Sequence, residues 1–376
     1  MKKKHLKWVG LTALSLVIVG GILPTVGATG VAKVSKVTEV NGTVTTENGE
    51  NKVYVESEFA TLKRVVLTQS EAFMNFNFND LPEEKEVKDV NEKDMPMMDM
   101  DPADLQKKWE KEREELKKVL EKYGVEVQRP RLLTEKEKEL GYVKDGITGG
   151  EGVTNFFVRD PFFTIGNHLI EGSFKSAYRR LEVLPVRSIL DKEAAQNKIP
   201  HVAVPQPDVS KGINSETGPY LEGGDILVYG KTVFVGNSGQ ASNQAGIDWL
   251  RNYLTPSGYK VVEVKLEPGT LHLDCAISFV RDGLMIVSMD SLANGLPEEL
   301  KNWDKIEVSY KDAKDLAVNG LPISSKVYVT DIAYKNTIGK ELEKRGIKVE
   351  YIDYEISRSF GGAFRCSTQP LLRSDS

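Results

Sequence analysis

Two cysteines and four histidines are all that this chain of 376 residues offers for thiol or imidazole chemistry, so each can be weighed in turn. Leu271-His272-Leu273-Asp274-Cys275 sets a base and a carboxylate two residues apart. In an extended strand alternate residues share a face, so His272 and Asp274 point together while Leu271, Leu273 and Cys275 point oppositely. A polar face inside an apolar run is costly unless paired or used. A hydrogen-bonded core pair and a working acid–base pair both meet that requirement. A metal reading of the spacing needs a later ligand, usually histidine, and no histidine follows His272.

Three further segments carry chemistry-bearing side chains. Tyr220-Leu221-Glu222-Gly223-Gly224-Asp225 places two glycines between two acids, which lets backbone and ligand approach closely and presents Glu222 at a strand entrance. A turn with solvated acids is the competing reading. Arg159-Asp160 lies between Phe156-Phe157 and Phe162-Phe163, and predicts a buried or pocket-rim carboxylate in need of a cation. Gly361-Gly362-Ala363-Phe364-Arg365-Cys366-Ser367-Thr368 holds a cysteine in a polar, glycine-started stretch. A reactive cysteine needs an accessible, electropositive setting that lowers its pKa, for which Arg365 and the loop amides are available. The alternative is a Cys275–Cys366 disulfide, against which stands the core-side orientation expected of Cys275. Gly230-Lys231-Thr232 has the ending of a phosphate loop, but Asp225 stands where its first glycine belongs, so that motif fails.

Composition bounds the class. Hydrophobic residues at 40% and charged residues at 28% describe a globular protein rather than a disordered or multi-span membrane chain. A net charge of -5 speaks against a nucleic-acid partner. Two cysteines exclude a disulfide scaffold and a four-cysteine zinc site. Lys2, Lys3, Lys4 and Lys7 precede an apolar stretch from Trp8 to Val26, and small residues end at Ala28. Residues 1–28 therefore read as a signal peptide and predict a secreted or extracytoplasmic protein, membrane-anchored if the leader stays uncleaved.

The elements that must position these residues follow. Residues 29–56 read as a linker, and a strand signal begins at Ser57. An acidic insertion spans about 80–104. Its Met95, Met97, Met98 and Met100 admit a copper-binding reading, which is weighed against apolar anchors in a solvated loop. Trp109 to Glu121 is a charged amphipathic helix. A helix, a glycine stop and a strand recur at Leu116–Val127 and Ile338–Val349, with a looser copy from Trp249 to Val262. Strand runs at Ile226–Tyr229, Val233–Val235, Ala276–Val280, Met285–Val287 and Val327–Val329 complete an α/β domain of degenerate repeats over 57–376.

Taken together, these stretches resemble the guanidino-group-modifying, or pentein, superfamily. Arg159-Asp160 with Gly166-Asn167-His168-Leu169-Ile170-Glu171, Ser242 to Leu250, and Gly361 to Thr368 are similar to glycine and inosamine-phosphate amidinotransferases. Arg159-Asp160-Pro161, Leu221 to Asp225, and Arg365-Cys366 with Pro370-Leu371 resemble arginine deiminase. The resemblance implies a five-fold pseudosymmetric β/α-propeller of ββαβ units around a polar site. It implies that Asp160 and Asp274 clamp a guanidinium, that Cys366 attacks it, and that His272 moves protons with Glu222 orienting the imidazole. No metal or cofactor is implied. The implied function is transfer of an amidino group from arginine or a related guanidine to an amine through an amidino-cysteine. An arginine deiminase-type hydrolase giving citrulline and ammonia is the alternative, and a noncatalytic guanidine-binding protein the second. Implied partners are a small guanidine and an amine acceptor, and an oligomer is compatible. Departures are specific: Arg365 stands where the transferases carry histidine, Glu222 is the deiminase choice, and Gly236 to Ser242 lacks the arginine that deiminases use for the substrate carboxylate.

Overall fold

The computed structural model describes residues 52–71, 100–138, 143–144, 147–148, 156–210 and 217–375. Strands β1 (Tyr54–Val55) and β2 (Leu62–Leu67) precede helix α1 (Pro102–Lys122). This helix buries Leu105, Trp109, Leu116 and Leu120, at the three- and four-residue spacings that put side chains on one face. Asp101 caps it by accepting the Ala103 amide at 2.8 Å, and Pro102 opens its first turn. Gly124, with φ of 75°, then turns the chain into β3 (Glu126–Gln128), which runs parallel to β2. The helix thus starts earlier than the sequence predicted, because Asp101 to Asp104 form its cap and first turn. The rest of the acidic insertion, with Met95, Met97 and Met98, lies outside the described residues.

After the short α2 (Glu135–Lys138) and the hairpin of β4 (Val143–Lys144) and β5 (Ile147–Thr148), one order repeats. Strands β6 (Phe162–Ile165) and β7 (His168–Glu171) form an antiparallel pair, α3 (Val183–Asn197) crosses over, and β8 (His201–Ala203) returns parallel to β7. The same order gives β9 (Ile226–Tyr229), β10 (Thr232–Asn237), α4 (Gln244–Leu254) and β11 (Lys260–Lys265). In the third set, 3₁₀ turns replace the helix between the pair β12 (Ile277–Arg281) and β13 (Leu284–Val287) and the parallel β14 (Asp304–Glu307). Helix α5 (Tyr310–Lys314) leads to the pair β15 (Leu321–Ser324) and β16 (Val327–Asp331), then α6 (Lys340–Lys344) and the parallel β17 (Lys348–Ile352). After α7 (Glu355–Ser359), β18 (Thr368–Arg373) pairs antiparallel with β2 and parallel with β1, giving the order β1-β18-β2-β3.

The result is a mixed α/β fold with five sheets of three or four strands that share one pattern. Helices α4 and α1 each cover a sheet. Ile247, Leu250 and Leu254 of α4 pack on Ile226, Val233 and Val235, and Leu116 and Leu120 of α1 pack on Leu62, Val65 and Leu67. Each such side chain contributes about 1.5–3 kcal/mol on burial. Gly258 and Gly346, at φ of 77° and 76°, end the other two anticipated helix–glycine–strand copies.

Two expectations are corrected. Leu271 to Cys275 is not a strand: His272 is extended, but Leu273–Cys275 form a 3₁₀ turn closed by the Cys275 and Ala276 amides, and β12 begins only at Ile277. The alternation argument fails there, and Leu271 stands 40% exposed. The membrane-anchored form is the second correction, since among the described residues no helix is long and apolar enough to cross a membrane. Residues 1–28, read as a signal peptide, and most of 29–56, read as a linker, lie outside the described residues.

Candidate active site

The two glycines after Glu222 explain how the site closes up. Glu222 is extended, and Gly223–Asp225 make a 3₁₀ turn before β9. A Cβ at Gly223 would lie 2.0 Å from the Arg159 carbonyl oxygen, and one at Gly224 would lie 2.7 Å from the His272 ring and 2.8 Å from Asp160 Oδ1. With glycine there, the Gly224 amide donates to Asp160 Oδ1 at 2.9 Å. Asp225, also buried, accepts the Ser242 amide at 3.2 Å and the Leu273 amide at 3.0 Å. It thereby ties the Glu222 turn to the turn that carries His272 and Asp274.

His272 Nε2 lies 3.0 Å from Glu222 Oε2, and its Nδ1 lies 3.8 Å from Asp160 Oδ1. Burial works to lower the imidazole pKa, but the charge on Asp160 and the hydrogen bond to Glu222 outweigh it and push it up to about 10. Asp160 and Glu222 therefore favour the protonated ring. Asp160 finds its cation in Arg179, whose Nη2 donates to Oδ2 at 2.8 Å. Arg159 turns away, donating from Nε to the Arg365 carbonyl at 3.0 Å and from Nη1 to Gln369 Oε1 at 2.9 Å.

Cys366 is buried, and its amide donates to Asn319 Oδ1 at 3.1 Å. Its Sγ lies 3.7 Å from Asp274 Oδ2, an oxygen that also accepts Arg365 Nη1 at 2.9 Å. Burial raises the thiol pKa well above its usual value, and the Asp274 and Asp160 carboxylates raise it further, against a lowering by Arg365. The electropositive setting expected around this thiol is therefore corrected. Arg365 is engaged elsewhere, donating from Nε and Nη2 to the two oxygens of Glu58 at 3.0 and 3.1 Å. Both thiols are free rather than joined in a disulfide, and the half-buried Cys275 lies 3.7 Å from Asp274 Oδ1.

Asp160, His272 and Cys366 thus line one cavity of about 160 Å³, with Arg179 and Glu182 beside them and Phe156, Phe157 and Phe360 among its apolar walls. Glu222 and Asp274 adjoin these residues through the contacts given above. Sequence reasoning missed Arg179 and Glu182, because Arg179-Arg180-Leu181-Glu182 reads as an ordinary charged surface. His168 and His201 are used elsewhere, against Tyr253 at 3.0 Å and against Glu171 at 3.1 Å. Ligand atoms of Asp160, Glu222 and His272 come within 4.8 Å of one another, close enough to hold a metal ion. However, the Arg179 guanidinium lies on oxygens of both acids, at 2.8 and 3.2 Å. The donor set suits a planar cation with N–H groups better than a metal ion pressed against that guanidinium.

Comparison with known proteins fits this geometry. The uncharacterized protein YkgA of Bacillus subtilis (strain 168) is 25% identical over 333 residues, 88% of this chain and 99% of its own. The mitochondrial glycine amidinotransferase of Xenopus laevis is 25% identical over 307 residues, 72% of this chain and 71% of that one. Among solved structures, SxtG, an amidinotransferase from Microseira wollei, shares the fold with a TM-score of 0.69 at 22% identity, covering 86% of this chain and 98% of that one. The family model described as N,N dimethylarginine dimethylhydrolase, eukaryotic, matches residues 81–373. The chain belongs to that family, and with it to the guanidino-group-modifying, or pentein, superfamily.

Proposed function

We propose that this chain is an amidinotransferase that moves an amidino group from arginine or a related guanidine to an amine through an amidino-cysteine at Cys366. The observation that carries the reading is that the Cys366 thiol, the His272 ring and the Asp160 carboxylate line one cavity, with Asp274 3.7 Å from the sulfur. A guanidinium is planar and cationic, and its N–H groups suit two carboxylates at once. Asp160 and Asp274 are assigned to clamp it. Its positive charge offsets the carboxylates that hold the thiol protonated, so the thiol proton leaves to solvent as the substrate settles. Sγ then attacks the central carbon, the S–C bond forms, and the C–N bond breaks as the departing amine takes a proton from His272. The same cation weakens the hold of Asp160 on the His272 proton, which eases that transfer. An incoming amine gives its proton to the now neutral His272 as its N–C bond forms and the S–C bond breaks, restoring the thiolate. Glu222 keeps the ring in place.

A hydrolase reading has two supports, the glutamate at position 222 and the name of the matching family model. Water then replaces the amine, and arginine gives citrulline and ammonia. We also read the five sheets as a closed five-fold ring of ββαβ units, with 57–376 as the catalytic domain. The pairing of β18 with β2, which builds the fifth sheet from distant parts of the sequence, supports it.

The test is to supply arginine with and without glycine or other amines, and to assay ornithine, citrulline and ammonia separately. Ornithine that forms only with an amine present supports transfer, whereas citrulline with ammonia in its absence supports hydrolysis. Cys366→Ala is expected to lower either activity by at least about 10³-fold while guanidine binding survives. Full activity in that variant sinks the mechanism, and no activity on any guanidine leaves the binding-protein reading.

A further inference from the structure

Asp160, assigned above to the substrate guanidinium, already carries a guanidinium of the chain itself. Arg179 donates from Nη2 to Asp160 Oδ2 at 2.8 Å and from Nη1 to Glu222 Oε2 at 3.2 Å. Glu182 takes its other edge, accepting Nε at 2.8 Å and Nη2 at 2.9 Å. The guanidinium carbon lies 4.7 Å from the centroid of the Phe174 ring. Three carboxylates at its edges and an aromatic ring nearby are what a receptor for a guanidinium would supply. Arg179 and Glu182 line the same cavity as Asp160, His272 and Cys366.

The element that carries Arg179 is also easy to rearrange. It is the six-residue 3₁₀ stretch Ala177–Glu182, entered at Ser176 without a side-chain cap. Runs of 3₁₀ helix longer than three or four residues are uncommon, because their hydrogen-bond geometry is poor. The Arg179 side chain keeps 13% of its surface exposed, against 2% for Arg365, which is locked to Glu58.

We propose that Arg179 is an internal competitor, a substrate-like cation that occupies the guanidine seat of the empty enzyme and must leave Asp160 before substrate can bind there. The proposal rests on the assignment of Asp160 to the substrate guanidinium. Its consequence is specificity. A tethered cation acts at a high effective concentration, and apparent affinity falls by the fraction of molecules whose seat is open. A bare guanidinium ion adds only the Asp274 contact to the Asp160 contact that Arg179 already makes, so it loses the competition. A longer guanidine that also engages the cavity walls wins it.

The experiment uses the full chain with Cys366→Ser, so that nothing turns over, and compares it with the same chain carrying Arg179→Met as well. Guanidinium chloride at millimolar concentration and methylammonium chloride are titrated separately by calorimetry. Loss of Arg179 is expected to tighten guanidinium binding by about tenfold or more, the inverse of the open fraction. Methylammonium binding is expected to change by less than about twofold, because the vacated seat matches a planar fork. Unchanged or weaker guanidinium binding overturns the proposal. So does an equal gain for both cations, which is plain charge attraction. Arg179→Lys, which keeps the charge and loses the fork, is the second variant if methionine prevents folding. It is held to the same preferential gain for guanidinium, and its absence overturns the proposal. If arginine and guanidinium bind to none of these proteins, the guanidine-site reading itself fails, a result distinct from binding that ignores position 179.

Discussion

Two groups of buried charge meet at Asp274, and they are held in different ways. Around the cavity, Asp160, Glu182 and Glu222 are balanced by Arg179 and His272, with side chains bonded chiefly to one another. On the other side, Arg159, Arg365 and Arg373 gather about Glu58. There, backbone carbonyls do much of the work: Arg373 donates to the Ala60 and Pro322 carbonyls at 2.9 and 2.6 Å, and Arg365 to that of Ile226 at 2.6 Å. A charge tied to backbone cannot be exchanged without moving the chain. A charge tied to another side chain at a cavity wall can be exchanged for a ligand of like chemistry. The first arrangement builds a frame and the second builds a seat.

Substitutions can break or sharpen that contrast. The largest effect is expected in the frame, where Glu58→Ala leaves the Arg365 guanidinium buried without its bidentate partner. Removing one member of a buried pair costs about 3–5 kcal/mol, to be read as a loss of denaturant midpoint. A change within error would place Glu58 outside the frame. Asp160→Asn acts on the seat instead. Losing one charge-assisted contact of about 1.5–3 kcal/mol weakens guanidine affinity by roughly 10- to 100-fold, with a smaller loss of stability, because Arg179 keeps Glu182 and Glu222 as partners. A large stability loss with unchanged affinity would reverse the two assignments.

The smallest effect lies in the pH dependence, where the two groups carry opposite signs. Burial raises Glu182 from 4.5 to about 7, against the pull of Arg179. A carboxyl with a higher pKa folded than unfolded stabilises the fold fully below 4.5, and that contribution is lost as pH rises through about 7. Glu58 is the reverse: burial would raise it, yet the charges of Arg365 and Arg159 bring it below 4.5. Its contribution is present above 4.5 and lost as pH falls through the lowered value. Glu182→Gln is therefore expected to gain on the order of 1 kcal/mol relative to the native chain between pH 4 and pH 8. Glu58→Gln should lose over the same interval. Parallel stability curves for the two variants would remove the distinction.

The seat was more legible in the sequence than the frame. Cys366 and His272 stand out because the chain has only 2 Cys and 4 His, and Glu222, Asp160 and Asp274 because each sits in an unusual local setting. The structure brings Asp160, His272 and Cys366 to one cavity, with Glu222 against His272 and Asp274 against Cys366. The strand runs and glycine stops were legible for the same local reason, since alternation and φ > 0 leave marks within a few residues. Arg365 was misjudged because its partner, Glu58, lies 307 residues away in sequence. The cation that Asp160 needs stayed unnamed because Arg179 lies 19 positions away in sequence. The turn at Leu273–Cys275 looked like a strand because its hydrophobic alternation is genuine. What bends it is the Asp225 carboxylate holding the Leu273 amide, a contact 48 positions away.

The fifth sheet has a further consequence, in the order of events during synthesis. Cys366 lies two residues before β18, and β18 is hydrogen-bonded on one side to β1 and on the other to β2. Contacts so distant in sequence form only after the intervening chain is available. A chain still emerging from the ribosome can hold β2, α1 and the first hairpins, yet it has no docked nucleophile. The acids can gather early, but the thiol arrives with the last of the described strands. Reactivity is thereby withheld until nearly all of the fold exists to contain it.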